Sequence, residues 1–131
     1  MALYRAGLVF GRPAWIEQGR QTIHGAVQAQ TPLGYWREHG GPTPSYNLVY
    51  VHAIGLYYAF SGDLAVLPCL KRATDFHIRY SYPDGRVVET IDGRVKFHNR
   101  VPDLAHAAFS LFPAGRRHVR HLVQAMQQQR R

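Results

Sequence analysis

The stretch from Tyr46 to Phe60 constrains the fold more than any other part of the chain. Its fifteen residues carry no formal charge, and apolar or aromatic side chains fall on every side of a helical wheel. A helix that is apolar all round is covered by neighbours on several sides. The stretch is shorter than the about 20 mainly apolar residues that span a bilayer. We therefore predict the inner member of a helical hairpin, ended by Gly62 in a left-handed conformation and followed by Asp63 as the N-cap of the next helix.

The length of 131 residues fits one domain, and 46% hydrophobic residues can form a core. The one cysteine, Cys69, excludes an intramolecular disulfide, and its position between Leu67 and Leu70 predicts a buried thiol rather than a nucleophile. The N-terminus lacks the apolar run and the cleavage site of a signal peptide, so we expect a cytoplasmic location.

The formal net charge of +8 makes the distribution of basic residues important. They are scattered except near the C-terminus, where five arginines and two histidines gather: Arg116, Arg117, His118, Arg120, His121, Arg130 and Arg131. Such a segment either binds an anionic polymer or forms a solvated helix face with a frayed end. Because no RNA-recognition, zinc-finger or P-loop signature is present, nucleic acid is not the expected partner, and no membrane contact is expected.

The periodicity predicts a single, mainly α domain made of antiparallel helical hairpins. The predicted helices cover about 13–30, 46–60, 63–80, 102–112 and 116–128.

One small β-hairpin is predicted at about 86–98. Two β-prone runs flank Asp92-Gly93, a dipeptide that favours a two-residue hairpin turn. The expected register places Glu89 opposite Lys96 and Val88 opposite Phe97.

The order of these elements resembles a repeat of the (α/α) toroid of six-hairpin glycosidases and of heparinase- and alginate-lyase-type polysaccharide lyases. The resemblance covers about 13–98. It rests on segments 34–42, 46–47, 57–58 with 61–63, and 82–85, together with 88–94 and His98. It implies a partial toroid and a saccharide ligand.

A closed toroid contains more helices than this chain supplies. The flanks of the inner helix would then form an exposed apolar patch, which soluble monomers avoid. We therefore expect the chain to be the terminal part or a fragment of a larger toroid, and to form a homo-oligomer through these flanks.

The loop before the inner helix carries the first candidate site residues. Tyr35 and Trp36 are expected to stack on sugar rings, with ordinary loop packing as the alternative. Glu38 and His39 are candidate general acid/base groups, since carboxyl and imidazole groups can be tuned to titrate near neutral pH. Plain solvation is the alternative for both.

The resemblance implies further roles at the start of the inner helix. Asn47 would neutralise a uronate carboxylate, while Tyr46 and His39 would move protons; a helix cap is the competing role for Asn47. Arg94 and His98, which flank the predicted β-hairpin, are candidate substrate-binding residues.

No cofactor motif is present, and no metal site is predicted, because the pair His118 and His121 would need further ligands. The leading hypothesis is a carbohydrate-active protein related to polysaccharide lyases or glycoside hydrolases and inactive alone. The alternative hypothesis is a non-catalytic oligomeric module that binds an anionic polymer through its basic C-terminal helix.

Overall fold

The computed structural model describes residues 1–94, 97 and 100–129. The described chain is mainly helical, as predicted, with one small antiparallel β-hairpin. The helices are α1 (Ala2–Val9), α2 (Pro13–Gln28), α3 (Pro44–Ser61), α4 (Leu67–Arg79), α5 (His106–Phe109) and α6 (Pro113–Gln129); the strands are β1 (Arg37–Glu38) and β2 (Gly41–Pro42). Short 3-10 helices lie at Leu64–Val66 and Glu89–Ile91.

The core is built around α3, which packs against α2, α4 and α5. One side of α3 is almost fully enclosed, with Val51, Ile54 and Tyr57 at most 1% exposed. Cys69 on α4 lies in the same core, and burial raises the pKa of its thiol to about 11. The prediction of a central helix and of a buried thiol is confirmed.

The end of α3 joins three helices through one carboxylate. Gly62 adopts the predicted left-handed conformation (φ 66°), and Asp63 Oδ1 accepts a hydrogen bond from the Ala65 N–H as the predicted N-cap. Asp63 Oδ2 lies 2.8 Å from His24 Nε2 of α2 and 2.9 Å from the Tyr57 hydroxyl of α3. Burial is the main cause that raises the pKa of Tyr57 to about 12, and the hydrogen bond to the Asp63 carboxylate is the second.

The other side of α3 is not covered by its own chain. Val49 is 53% exposed and Phe60 is 46% exposed, and beyond them the end of α1 presents Val9 and Phe10 to solvent. The sequence predicted apolar side chains all round this helix, and the structure leaves its outer flank open. Self-association through this flank stays a prediction. Within the described residues, no helix has the length and apolar character needed to cross a membrane.

The β-hairpin lies at 37–42 and not at the predicted 86–98. Residues on either side of the Pro83-Asp84-Gly85 turn pair with each other: Tyr82 N–H donates to Arg86 O at 2.8 Å, and Val88 N–H donates to Tyr80 O at 3.1 Å. The first predicted strand is therefore already paired with the segment before it, and Glu89–Ile91 forms a 3-10 turn. Residues 95, 96 and 98 of the second predicted strand lie outside the described residues.

The helices near the C-terminus differ from the predicted ranges. The stretch predicted as helical at 102–112 contains only the four-residue α5, because Ala105 takes a left-handed conformation (φ 68°) immediately before it. The last helix begins earlier than predicted, at Pro113, a residue suited to the first turn. At the N-terminus, α1 had no predicted counterpart, and it packs along α2.

We predict that His77 makes the fold sensitive to acid. His77 is 4% exposed, and its Nε2 has no hydrogen-bond partner among the described residues. Burial is the main cause that lowers its pKa to about 3, and the nearby charge of His118 is a smaller cause. In the unfolded chain the pKa of His77 is 6.5, so below that pH the imidazole binds a proton in the unfolded chain but not in the folded one. Stability therefore falls as pH falls. The free energy of unfolding should drop by about 2 kcal/mol between about pH 7 and 5 from this residue alone.

Urea denaturation at the two pH values measures this drop. His77→Leu should lose that part of the pH dependence, whereas His121→Leu, at an exposed position on α6, should keep it. An unchanged pH dependence in His77→Leu would contradict the assignment.

Candidate site at the start of the central helix

The hairpin before α3 is closed by a two-residue turn. Arg37 pairs with Pro42 and Glu38 with Gly41, and the turn residues His39 and Gly40 both have positive φ, 53° and 85°. Positive φ at both positions is the geometry of a type I′ turn, which follows the twist of the strands. The turn therefore projects His39 from the tip of the hairpin, where the residue is exposed.

Asn47 fastens this hairpin to α3. Its Oδ1 accepts the Trp36 backbone N–H at 2.7 Å, and its Nδ2 donates to Trp36 O at 3.1 Å and to Thr43 O at 3.0 Å. The side chain is fully buried. Asn47 therefore has a structural role inside the fold: it lies within the first turn of α3 rather than at the N-cap, and its amide is enclosed away from any solvent-borne carboxylate.

Trp36 is also enclosed. Its ring is 2% exposed, lies parallel to the Tyr50 ring at 4.7 Å, and donates its Nε1–H to Ala26 O at 2.7 Å. The indole thus joins α2 to α3. Ordinary loop packing, the alternative interpretation of Trp36, therefore describes its position. A sugar ring cannot reach the face of the indole in this structure.

Three of the predicted site residues meet on the surface around the Tyr46 ring. Tyr46 is 42% exposed, its ring lies 5.6 Å from the His39 ring, and the Arg94 guanidinium carbon lies 4.8 Å from its centroid. A guanidinium over an aromatic ring is attracted by the ring quadrupole. Arg94 also donates to Ser45 Oγ at 3.2 Å and pairs with Asp92 Oδ1 at 3.4 Å.

The loop that carries Arg94 is attached directly to the hairpin. Gly93 N–H donates to Pro42 O at 3.0 Å. A Cβ at Gly93 would lie 2.4 Å from His39 O, so only glycine permits this approach. Contact between the two loops is what brings Arg94 to Tyr46, although the residues are far apart in sequence.

Glu38 lies next to this cluster and has a fixed orientation. Its Oε1 accepts the Tyr50 hydroxyl at 3.0 Å, and the carboxylate is half-buried. Burial is the main cause that raises the pKa of Tyr50, and the hydrogen bond to Glu38 is the second. Tyr50 therefore stays a hydrogen-bond donor that holds the carboxylate in place.

Another predicted site residue, Tyr35, lies elsewhere. Tyr35 packs on Phe76 of α4, with ring centroids 5.4 Å apart, and lines a different groove. His98 lies outside the described residues. The structure adds Ser45, Tyr50 and Asp92 around the cluster. Of these, Tyr50 could have been found from the sequence, because it lies one helical turn after Tyr46 and therefore on the same side of the helix. Among the described residues, no group of three or more His, Cys, Asp or Glu side chains is arranged to hold a metal ion.

We predict that replacing Asn47 destabilises the fold, because the substitution leaves the buried N–H and carbonyl of Trp36 without their partner. Asn47→Ala should lower the free energy of unfolding by about 2–4 kcal/mol, whereas the adjacent, exposed Tyr46→Phe should change it by less than about 0.5 kcal/mol. Urea denaturation followed by circular dichroism measures both variants. Equal stability of Asn47→Ala and Tyr46→Phe would refute the structural role.

Comparison of the chain with models of protein families, with curated proteins and with solved structures yields no match. The geometry of the site is therefore the basis for a functional proposal, and the toroid resemblance stays a prediction.

Proposed function

We propose that the chain is a carbohydrate-active protein that binds an acidic, uronate-containing saccharide around Tyr46, at the start of α3. The observation that carries the proposal is that Arg94 and His39 both contact the exposed Tyr46 ring, at 4.8 Å and 5.6 Å from its centroid. A sugar ring packs its C–H face on an aromatic side chain, and a guanidinium pairs with the carboxylate of a uronate. In this proposal Arg94 takes the carboxylate-binding role that the toroid resemblance implied for Asn47.

Tyr46 and His39 are the groups proposed to move protons, as in polysaccharide lyases. Their hydroxyl and imidazole groups belong to side chains that pack against each other on the surface. Glu38, oriented by Tyr50, is the proposed third polar group. A cluster this exposed does not exclude water, which favours binding over turnover for the chain by itself. Turnover by a larger assembly would require Tyr46.

A second candidate function rests on α6. Arg116, Arg117, Arg120 and His121 are exposed, and the helix contains no acidic residue. Arg116 and Arg117 lie near the helix N-terminus, where the macrodipole disfavours positive charge. Arg116 also donates to Ser110 O at 3.2 Å, so it has a structural contact of its own. Stability of α6 does not explain Arg117, whereas binding of an anionic polymer would.

We predict that Arg94→Gln weakens binding of an oligogalacturonate about tenfold, because it removes the cation that faces the carboxylate. Isothermal titration of the wild type, Arg94→Gln and the matched control Arg20→Gln measures the effect. Arg20 is an exposed arginine on α2 and should behave as the wild type. Any release of unsaturated product, followed by absorbance, should disappear in Tyr46→Phe.

The same titration separates the two candidate functions. The α6 variant Arg117→Gln/Arg120→Gln should bind the oligosaccharide as the wild type does if the site lies at Tyr46. Loss of binding in the α6 variant alone, with strong dependence on salt, would contradict the proposed site and support the second function.

A further inference from the structure

A groove separate from the Tyr46 cluster lies between α4 and the segment that follows α2. Its volume is about 370 Å³, which falls within the range for small-molecule sites. Its lining combines apolar side chains with the aromatic residues Tyr35, Phe76 and Tyr80 and the charged residues Arg72, Asp75 and Arg79.

Three aromatic side chains lie together in this groove. Phe76 is 5% exposed, and the ring centroids of Tyr35 and Tyr80 lie 5.4 Å and 4.9 Å from the Phe76 centroid. Such a cluster favours a flat aromatic ring, which can take up offset or edge-to-face contacts with several rings at once.

A buried glutamine positions Arg72 at the edge of the groove. Arg72 Nε donates to Gln30 Oε1 at 3.0 Å, and Gln30 Nε2 donates to Gly34 O at 3.2 Å and to Cys69 O at 3.0 Å. Because both backbone carbonyls fix the amide, its oxygen faces the guanidinium. The two terminal nitrogens of Arg72 have no partner among the described residues, which leaves the planar fork that matches a carboxylate.

The charges of the groove favour an anion. Arg79 lies two helical turns after Arg72 and takes part in no ion pair within the described residues. The one lining carboxylate, Asp75, is bound by Lys71 Nζ at 2.6 Å. The groove therefore contains two guanidinium groups and one carboxylate, and that carboxylate is already paired with Lys71.

We propose that this groove binds a small aromatic carboxylic acid. Its ring lies against Tyr35 and Tyr80, the two partly exposed aromatic side chains of the groove, and its carboxylate is held by Arg72 and Arg79. The proposal does not depend on saccharide binding at Tyr46, since the two sites share none of the residues that carry their arguments.

Benzoate, benzamide and cyclohexanecarboxylate form a matched set of probes for the folded wild-type chain. In nitrogen-15 NMR titrations, benzoate should bind saturably and shift amide signals of residues 33–35 and 72–80. Benzamide, which lacks the charge, and cyclohexanecarboxylate, which lacks the aromatic ring, should each bind roughly tenfold more weakly.

The variants Arg72→Gln and Arg79→Gln should weaken benzoate binding about tenfold each, and the exposed α2 variant Arg20→Gln should leave it unchanged. Absence of saturable benzoate binding, or equal affinity for benzamide, would overturn the proposal on the wild-type chain without any variant. Equal affinity for cyclohexanecarboxylate would overturn the aromatic selectivity, and undiminished binding in folded Arg72→Gln/Arg79→Gln would overturn the site.

Discussion

The paired hydrogen bonds between the Asn47 amide and the Trp36 peptide hold the hairpin beside Tyr46 in place. The amide substitutes for a strand partner: it accepts the Trp36 N–H at 2.7 Å and donates to the Trp36 carbonyl at 3.1 Å. Buried backbone groups need such partners, because an unsatisfied group costs about 1–3 kcal/mol. A connection of irregular backbone can therefore enter the core here, and the hairpin that follows is fixed relative to α3.

Rigidity of this hairpin matters because the proposed saccharide site is assembled from two loops and a helix. His39 extends from the hairpin tip, Tyr46 from the first turn of α3, and Arg94 from a loop that contacts both. Groups on separate elements recognise a ligand well only when their supports are fixed. Trp36, stacked on Tyr50 and bonded to Ala26 O, supplies the second attachment.

The local patterns of the sequence predicted the helices around the core, because the periodicity and end signals of α2 and α3 are contained within each segment. The position of the β-hairpin was not predictable in this way, since residues 86–88 could pair forwards or backwards and the backward pairing formed. Burial of Trp36 depends on Ala26 and Tyr50, which are distant in sequence, so its loop context suggested exposure. Arg94 was predicted as a site residue, but its contact with Tyr46 depends on the Gly93 approach to His39.

Amide hydrogen exchange at Trp36 tests the attachment of the hairpin most directly. We expect the Trp36 backbone N–H and its indole N–H to exchange about as slowly as the core amides of α3, because both are buried and hydrogen-bonded. The His39 amide, at the exposed hairpin tip, should exchange quickly. Exchange of the Trp36 backbone N–H as fast as that of His39 would show that Asn47 does not hold the hairpin, and would contradict the account.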